Sequence, residues 1–333
     1  MHHAPELASD KRAWRQGAIK LWRKIRRRGR RRSFKLFANQ RLVTVRRKAM
    51  RITRGQTVLL TGASGGLGMV IAHARAQRGV KLALAAFPGA ELEALRAELE
   101  KRGVEVAVWV TDLRNPQARH TLLEEVRQKF GEVEILVNNA GVEFTAAYHD
   151  LTETNLREIL EINLEAPMVL TRLVLPAMLR RGAGHIVSLS SLAGKSGPAF
   201  QEPYAATKAA LVAFTTSFRA SYRGTGGSAS VVTPGFVEAG IYSDLKSRSG
   251  CSAPWLLGTS KPEAVGRAVL KVIERNQLEK IVNPIPVRPL LALSALFPGF
   301  GEWLAERTGG NEFFRKVVAS LHGPPSEPPK KSF

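Results

Sequence analysis

TGASGGLG, Thr61 to Gly68, is the stretch whose reading decides the fold of this chain. It follows the apolar run TVLL and precedes MVIAHARA, so it joins a strand to a helix. Its glycines have separate uses. Gly62 allows a sharp turn, Gly66 lets the backbone approach a pyrophosphate, and Gly68 lets the helix close on the strand. The N-terminus of the helix adds partial positive charge where phosphate oxygens would sit. A tight turn alone would also select glycine, so the loop has to be weighed with its surroundings.

Outward from the loop, short apolar runs alternate with amphipathic stretches. Strands are expected in QTVLLTG, VKLALAAF, VEVAVWVTD, VEILVNNAG, GHIVSLSS, ASVVTPG and EKIVNP. Their nearly continuous apolar character suits strands buried on both faces of a parallel sheet. ELEALRAELEKRG reads as a helix with Leu92, Leu95 and Leu99 on one face, and NPQARHTLLEEVRQKFG as a helix with Pro116 near its start. Longer helices are expected over 153–181 and 203–223, and SKPE, Ser260 to Glu263, reads as a capping box opening another. The fold class expected is α/β, doubly wound, with a mostly parallel sheet of about seven strands. A basic helical extension precedes it and an apolar helical segment follows. The divisions are 1–54 (basic extension), 55–285 (dinucleotide-binding domain), 286–322 (C-terminal helical segment) and 323–333 (Pro-rich tail).

The spacing G-x-x-x-G-x-G departs from the common dinucleotide fingerprint. Further marks stand in order: Asp112 after the third strand, Asn138, Asn139, Ala140 and Gly141 after the fourth, and Asn163 in the next helix. Then come Ser191, Tyr204 thirteen residues after it, Lys208, and Pro234 with Gly235 after the sixth strand. This series resembles the short-chain dehydrogenase/reductase family over about residues 55–285. The resemblance implies an NAD(P)-binding Rossmann fold and an oxidoreductase interconverting a carbonyl and an alcohol. It implies a catalytic set of Ser191, Tyr204, Lys208 and Asn163. It also implies cofactor contacts from Gly62, Ser64, Gly66, Leu67, Gly68, Asp112, Leu113, Asn139, Ala140, Gly141, Tyr204, Lys208, Pro234, Gly235 and Val237. Within that set Lys208 would hold the nicotinamide ribose, Asn163 would anchor a water on the proton path, and Asp112 would meet the adenine amino group.

The residue chemistry supports the same reading. Tyr204 and Lys208, four apart, share a helix face. A phenol with a pKa near 10 is a poor base at neutral pH. A neighbouring ammonium, joined by the positive nicotinamide, should lower that pKa and let Tyr204 exchange a proton with a substrate oxygen. Ser191 offers a hydroxyl to that oxygen. Ser190 is its rival, and strand alternation sends the two to opposite faces. Asn163 could instead make a side-chain-to-backbone bond, and Asp112 could cap the turn TDLRNP.

Cofactor choice rests on the end of the second strand. Ala85, Ala86, Phe87 and Pro88 include no carboxylate to meet the ribose hydroxyls of NAD, which favours NADP over NAD. Residues 236–260 carry Ile241, Tyr242, Leu245, Trp255, Leu256 and Leu257, an apolar stretch suited to an apolar carbonyl or alcohol substrate or to packing on the body or a second subunit. A homo-oligomer is therefore among the partners considered. His73, His120, His149 and His185 have no metal-ligand spacing, and no metal is expected. Cys251, the sole cysteine, excludes an intramolecular disulfide.

Charge is distributed unevenly. Residues 1–55 hold 19 of the 50 Lys and Arg but 2 of the 28 Asp and Glu, a net +17 that leaves +5 for the other 278 residues. The run KIRRRGRRR (24–32) lies there, overlapping a stripe formed by Trp14, Ala18, Leu21, Trp22 and Ile25. A basic amphipathic helix of this type suits an anionic membrane surface. Packing on the enzyme's own body is its rival. Nucleic-acid binding is disfavoured because no recognition fold accompanies the arginines. No apolar run of the ~18 residues that span a bilayer stands out, nor does a secretory signal, so a cytoplasmic enzyme, peripheral at a membrane, is expected. A dinucleotide-binding sensor or scaffold tethered by the arm is the alternative.

Overall fold

The computed structural model describes residues 55–322. The basic extension with its tryptophan stripe and the Pro-rich tail lie outside the described residues. Among those described, one sheet carries β1 (Thr57–Thr61), β2 (Lys81–Ala86), β3 (Val106–Val110), β4 (Ile135–Asn138), β5 (Gly184–Leu189), β6 (Gly227–Pro234) and β7 (Glu279–Val282). These are the seven strands the apolar runs predict. Their order is β3-β2-β1-β4-β5-β6-β7, and every pairing is parallel. The chain winds outward from β1 to β3, then returns to β4 on the other side of β1. That reversal opens a crevice at the C-terminal ends of β1 and β4, the usual ligand position in such sheets.

Period-two alternation sorts the strand side chains between two layers. Val58, Leu60, Leu82 and Leu84 face α1 (Gly66–Ala76), α2 (Leu92–Lys101) and α7 (Pro262–Glu274). Leu59, Ala83, Leu136 and Ile186 face α3 (Pro116–Phe130), α4 (Glu153–Arg181) and α5 (Glu202–Ser221). Leu92, Leu95 and Leu99 are buried as their spacing requires. At the start of α3, the Asn115 side chain accepts from the backbone N–H groups of Gln117 and Ala118, with Pro116 at the first helical position.

The capping box expected at Ser260 does not form. The N-cap of α7 is Lys261, without a side-chain cap. Ser260 instead bridges Val237, donating its N–H to the Phe236 carbonyl and accepting the Glu238 N–H at its own carbonyl. Held as a strand-like residue one position early, Ser260 cannot serve as the cap.

By length and composition α4 could cross a membrane, the one such helix among the described residues. Half of its apolar window is buried inside the fold, however, which marks a core helix. It also carries a π-turn at Glu161–Glu165, which turns Asn163 inward, fully buried. Beyond the sheet, α6 (Ile241–Ser249) packs Tyr242 and Leu245 against Phe313, Phe314 and Val317 of α10 (Gly310–His322). Between α7 and α10 stand β7, α8 (Arg288–Leu296) and α9 (Pro298–Arg307).

Candidate active site

The Gly-rich loop lies at the crevice between β1 and β4. Gly62 has φ +64°, and a Cβ there would stand 2.7 Å from Cα of Ala140. A Cβ on Gly68 would stand 2.1 Å from the Gly62 carbonyl oxygen, so only glycine lets α1 close on the loop. Gly66 plays a part the sequence does not reveal: it also makes room for the chain at Ala239 and Gly240. Asn139 braces the loop from the β4 side. Its Nδ2 donates to the carbonyls of Thr61 at 3.1 Å and Gly62 at 2.9 Å, and its N–H donates to the Thr61 hydroxyl at 3.1 Å. The Ala140 N–H joins that hydroxyl at 3.2 Å. Gly65, the N-cap of α1, brings no side chain to the first-turn N–H groups. A glycine-walled cradle facing an uncapped helix start fits a pyrophosphate.

Ser191, Tyr204 and Lys208 come together beyond β5. Ser190 and Ser191 lie just past the end of β5, both at the cleft, and take different partners. The Ser190 hydroxyl is buried and donates to the Lys208 carbonyl at 2.7 Å. The Ser191 hydroxyl accepts the Ala193 N–H at 3.1 Å and is hydrogen-bonded to the Tyr204 phenol. Lys208 Nζ lies 5.4 Å from the centre of the Tyr204 ring and donates to the Leu189 carbonyl at 3.0 Å. A side chain on Gly141 would crowd that ammonium, its Cβ only 3.2 Å away. Burial lowers the Lys208 pKa to about 8.

The tyrosine departs from expectation. In the protein alone its phenol is held protonated, pushed above its ordinary range. Burial is the main cause, the Ser191 hydrogen bond opposes it, and the Glu143 carboxylate adds to it. Desolvation of the phenolate dominates, and the ammonium stands over the ring at 5.4 Å from its centre. Glu143 carries no motif in the sequence, yet its Oε1 accepts from Gln201 Nε2 at 2.6 Å and from the Thr145 hydroxyl. Burial raises its own pKa, opposed by those two bonds. Only the fold shows that a lone acidic residue after Val142 acts on Tyr204.

Asn163 clamps one residue at both ends. Its Oδ1 accepts the Val142 N–H and its Nδ2 donates to the Val142 carbonyl, each at 2.8 Å. The side-chain-to-backbone reading is thus the one its contacts display. Asp112 is gripped by Arg114, from the backbone N–H at 2.9 Å and the guanidinium at 2.8–3.0 Å. That grip holds the Asp112 carboxyl below the usual carboxylate range. The turn-capping reading therefore also holds, while Leu113 is buried in the core. Arg114 extends to Glu158 and stands 5.8 Å from the centre of the Phe87 ring. A cation thus sits by the end of β2, where the sequence reveals none, because β2 and β3 are neighbours in the sheet. Pro234 and Gly235 close β6, with the Gly235 N–H on the Val282 carbonyl, and Val237 is buried. Ser64 and Leu67, half-buried, complete the loop.

A cleft of about 860 Å³ opens from Ser191 and Tyr204. Its walls include Ile241, Tyr242, Leu245, Leu256, Leu257 and Phe314. Of the six apolar residues expected to suit the substrate or to pack, Ile241, Tyr242 and Leu245 do both, whereas Trp255 is exposed. Among the described residues no cluster of His, Cys, Asp and Glu could hold a metal ion.

A family model described as short chain dehydrogenase matches residues 56–249. The ketoacyl reductase HetN of Nostoc sp. is 37% identical over 246 residues, 74% of this chain and 84% of that protein. The 3-oxoacyl-[acyl-carrier-protein] reductase FabG of Escherichia coli is 35% identical over 184 residues, 55% of this chain and 74% of that protein. Among solved structures, an actinorhodin polyketide ketoreductase variant with NADPH superposes with a TM-score of 0.65 at 27% identity, over 70% of this chain and 97% of that one. A metagenomic short-chain oxidoreductase in complex with NADP gives 0.60 at 28%, over 71% and 100%.

Proposed function

This chain belongs to the short-chain dehydrogenase family, and from that premise we propose that it reduces an apolar ketone, of the 3-oxoacyl kind, at the expense of NADPH. The observation that carries the reading is the convergence of Ser191, Tyr204 and Lys208 at one end of a largely apolar cleft. The relatives named for ketoacyl and polyketide substrates support the choice of ketone. NADPH is favoured by the NADP and NADPH in the solved neighbours, by the missing carboxylate after β2, and by Arg114 beside Phe87.

When bound, the nicotinamide supplies or accepts the hydride. The remaining work falls to the chain. Ser191 holds the substrate oxygen, and Tyr204, protonated at neutral pH, donates the proton that turns the developing alkoxide into an alcohol. Lys208 stabilises the phenolate left behind, and its lowered pKa lets it pass a proton onward. Asn163 fixes Val142 and so holds the adjoining Gly141 beside the Lys208 ammonium, where the missing Cβ leaves the amine room.

Calorimetry with NADPH and NADH, followed by turnover on 3-oxoacyl thioesters of increasing chain length, tests the reading. Tyr204→Phe should abolish turnover and leave NADPH affinity in place. Absence of nicotinamide binding removes the reading, and retained turnover removes Tyr204 from its role. The sensor-or-scaffold alternative is disfavoured because a scaffold needs neither the phenol nor the buried amine. We place the enzyme in the cytoplasm, with its basic arm drawn to anionic membrane.

A further inference from the structure

Helices α8 and α9 break the pattern that builds the rest of the domain. From Pro289 to Gly301 the chain runs through thirteen residues without a charge. Yet neither α8 nor α9 buries a single residue. Leu293 is 43% exposed, Leu296 71%, Phe297 61% and Trp303 57%. Trp255, in the loop after α6, is 86% exposed. Side chains of this kind gain most by leaving water, and folded chains seldom leave so many uncovered without a partner.

The two faces of α8 differ in use. Leu290, Leu291, Ser294 and Ala295 line the cleft. At 100° per residue, Leu293 and Leu296 project to the opposite side. We propose that this outer face of α8 and α9 docks on a lipid membrane, so that one helix meets the acyl layer on one side and the cleft on the other. Three observations select a membrane as the occupant. Trp255 and Trp303 are the side-chain type that settles at the boundary of headgroup and acyl chain. Exposed Arg288 precedes the uncharged stretch, where it also pairs with Glu279, and exposed Arg307 ends α9 beyond Glu302 and Glu306, so both arginines can meet phosphates. The net +17 of residues 1–55 gives the same chain a preference for anionic lipid. The consequence for catalysis, entry of an acyl substrate along α8 without a passage through water, rests on the function proposed above; the docking itself does not.

The test uses the full chain. Flotation with vesicles of phosphatidylcholine alone, and with phosphatidylserine added, is compared with Leu293→Glu/Leu296→Glu, changes at exposed positions. The double variant should bind both vesicle types at least about tenfold more weakly, because each leucine buried in the acyl layer carries more than the free energy of one decade. It should keep NADPH affinity. A Trp14→Phe/Trp22→Phe chain should lose fluorescence on vesicles with brominated acyl chains, reporting Trp255 and Trp303 in the membrane. Equal flotation of wild type and double variant, or no quenching, overturns the proposal. So does a dimer that the double variant splits while vesicle binding is unchanged, since a second copy would then cover the patch. Loss of NADPH binding in the wild type would instead strike the proposed activity and leave docking to be judged by flotation.

Discussion

Replacing Lys208 by methionine should make the cofactor-free protein less sensitive to pH while it destroys the enzyme. Lys208 has a pKa of about 8 in the fold against 10.5 for the ordinary side chain. Below pH 8 both folded and unfolded chains carry the charge, and the folded chain carries it desolvated. Between 8 and 10.5 the unfolded chain binds the proton that the folded chain has released. Stability therefore rises with pH through this window, and the cost is fully present below it. Two sites with these pKa values give wild type a gain of about 2.5 kcal/mol between pH 7 and pH 10 that Lys208→Met lacks. The lost bond to the Leu189 carbonyl weakens the variant at every pH and cancels from the difference. Urea unfolding of both chains at pH 7, 8, 9 and 10, without nucleotide, measures it. Parallel curves would show that the amine is solvated in the native state, and its tuning by burial would be refuted.

Glu143→Gln removes a negative charge that raises the Tyr204 pKa, so the pH at half-maximal alcohol oxidation should fall; an unchanged profile would detach Glu143 from the phenol. His185, buried against the Ser230 hydroxyl at 2.8 Å, has its pKa lowered to about 3 by burial, with Arg219 and Arg75 adding to the effect. The unfolded chain therefore takes up a proton below about pH 6.5 that the native chain refuses, costing about 2 kcal/mol from pH 7 to pH 5. His185→Asn should flatten that part of the stability curve, and denaturation at the two pH values decides it. Gly68→Ala places a Cβ 2.1 Å from the Gly62 carbonyl oxygen. It should cost about 1–3 kcal/mol of overpacking and weaken NADPH binding about tenfold, whereas unchanged calorimetry would move the cofactor's seat elsewhere.

Much of this fold is legible because its strands are local and apolar. VLL in β1 and ILV in β4 announce themselves without reference to their neighbours, and Tyr204 and Lys208 are joined by simple helical spacing. What escapes a linear reading depends on distance in space. Ser260 looks like a cap until Val237, far away in sequence, claims its backbone. The phenol of Tyr204 seems easy to ionise until its burial is known. Arg114 reaches the end of β2 only because β3 is paired beside it, and Glu143 acts on Tyr204 from a loop with no signature. The apolar segment 288–300 can be read from sequence as one that sits at an interface or covers the pocket, but only the fold shows which face of α8 lines the cleft and which is left uncovered.

The Asn163 clamp has a consequence for how this enzyme can change. Its amide mimics a peptide group and ties Val142, in the loop after β4 that bears Gly141, to the core helix α4. The wall formed by α8 and α9 buries none of its residues and is tied to the body by exposed side chains, Arg288 to Glu279 and Glu306 to Arg315 and Asn311. Mutational drift should thus alter which molecules are accepted long before it alters what is done to them. On the proposed function, the chemistry is inherited with the sheet, and substrate choice falls in part to the helices that line the cleft.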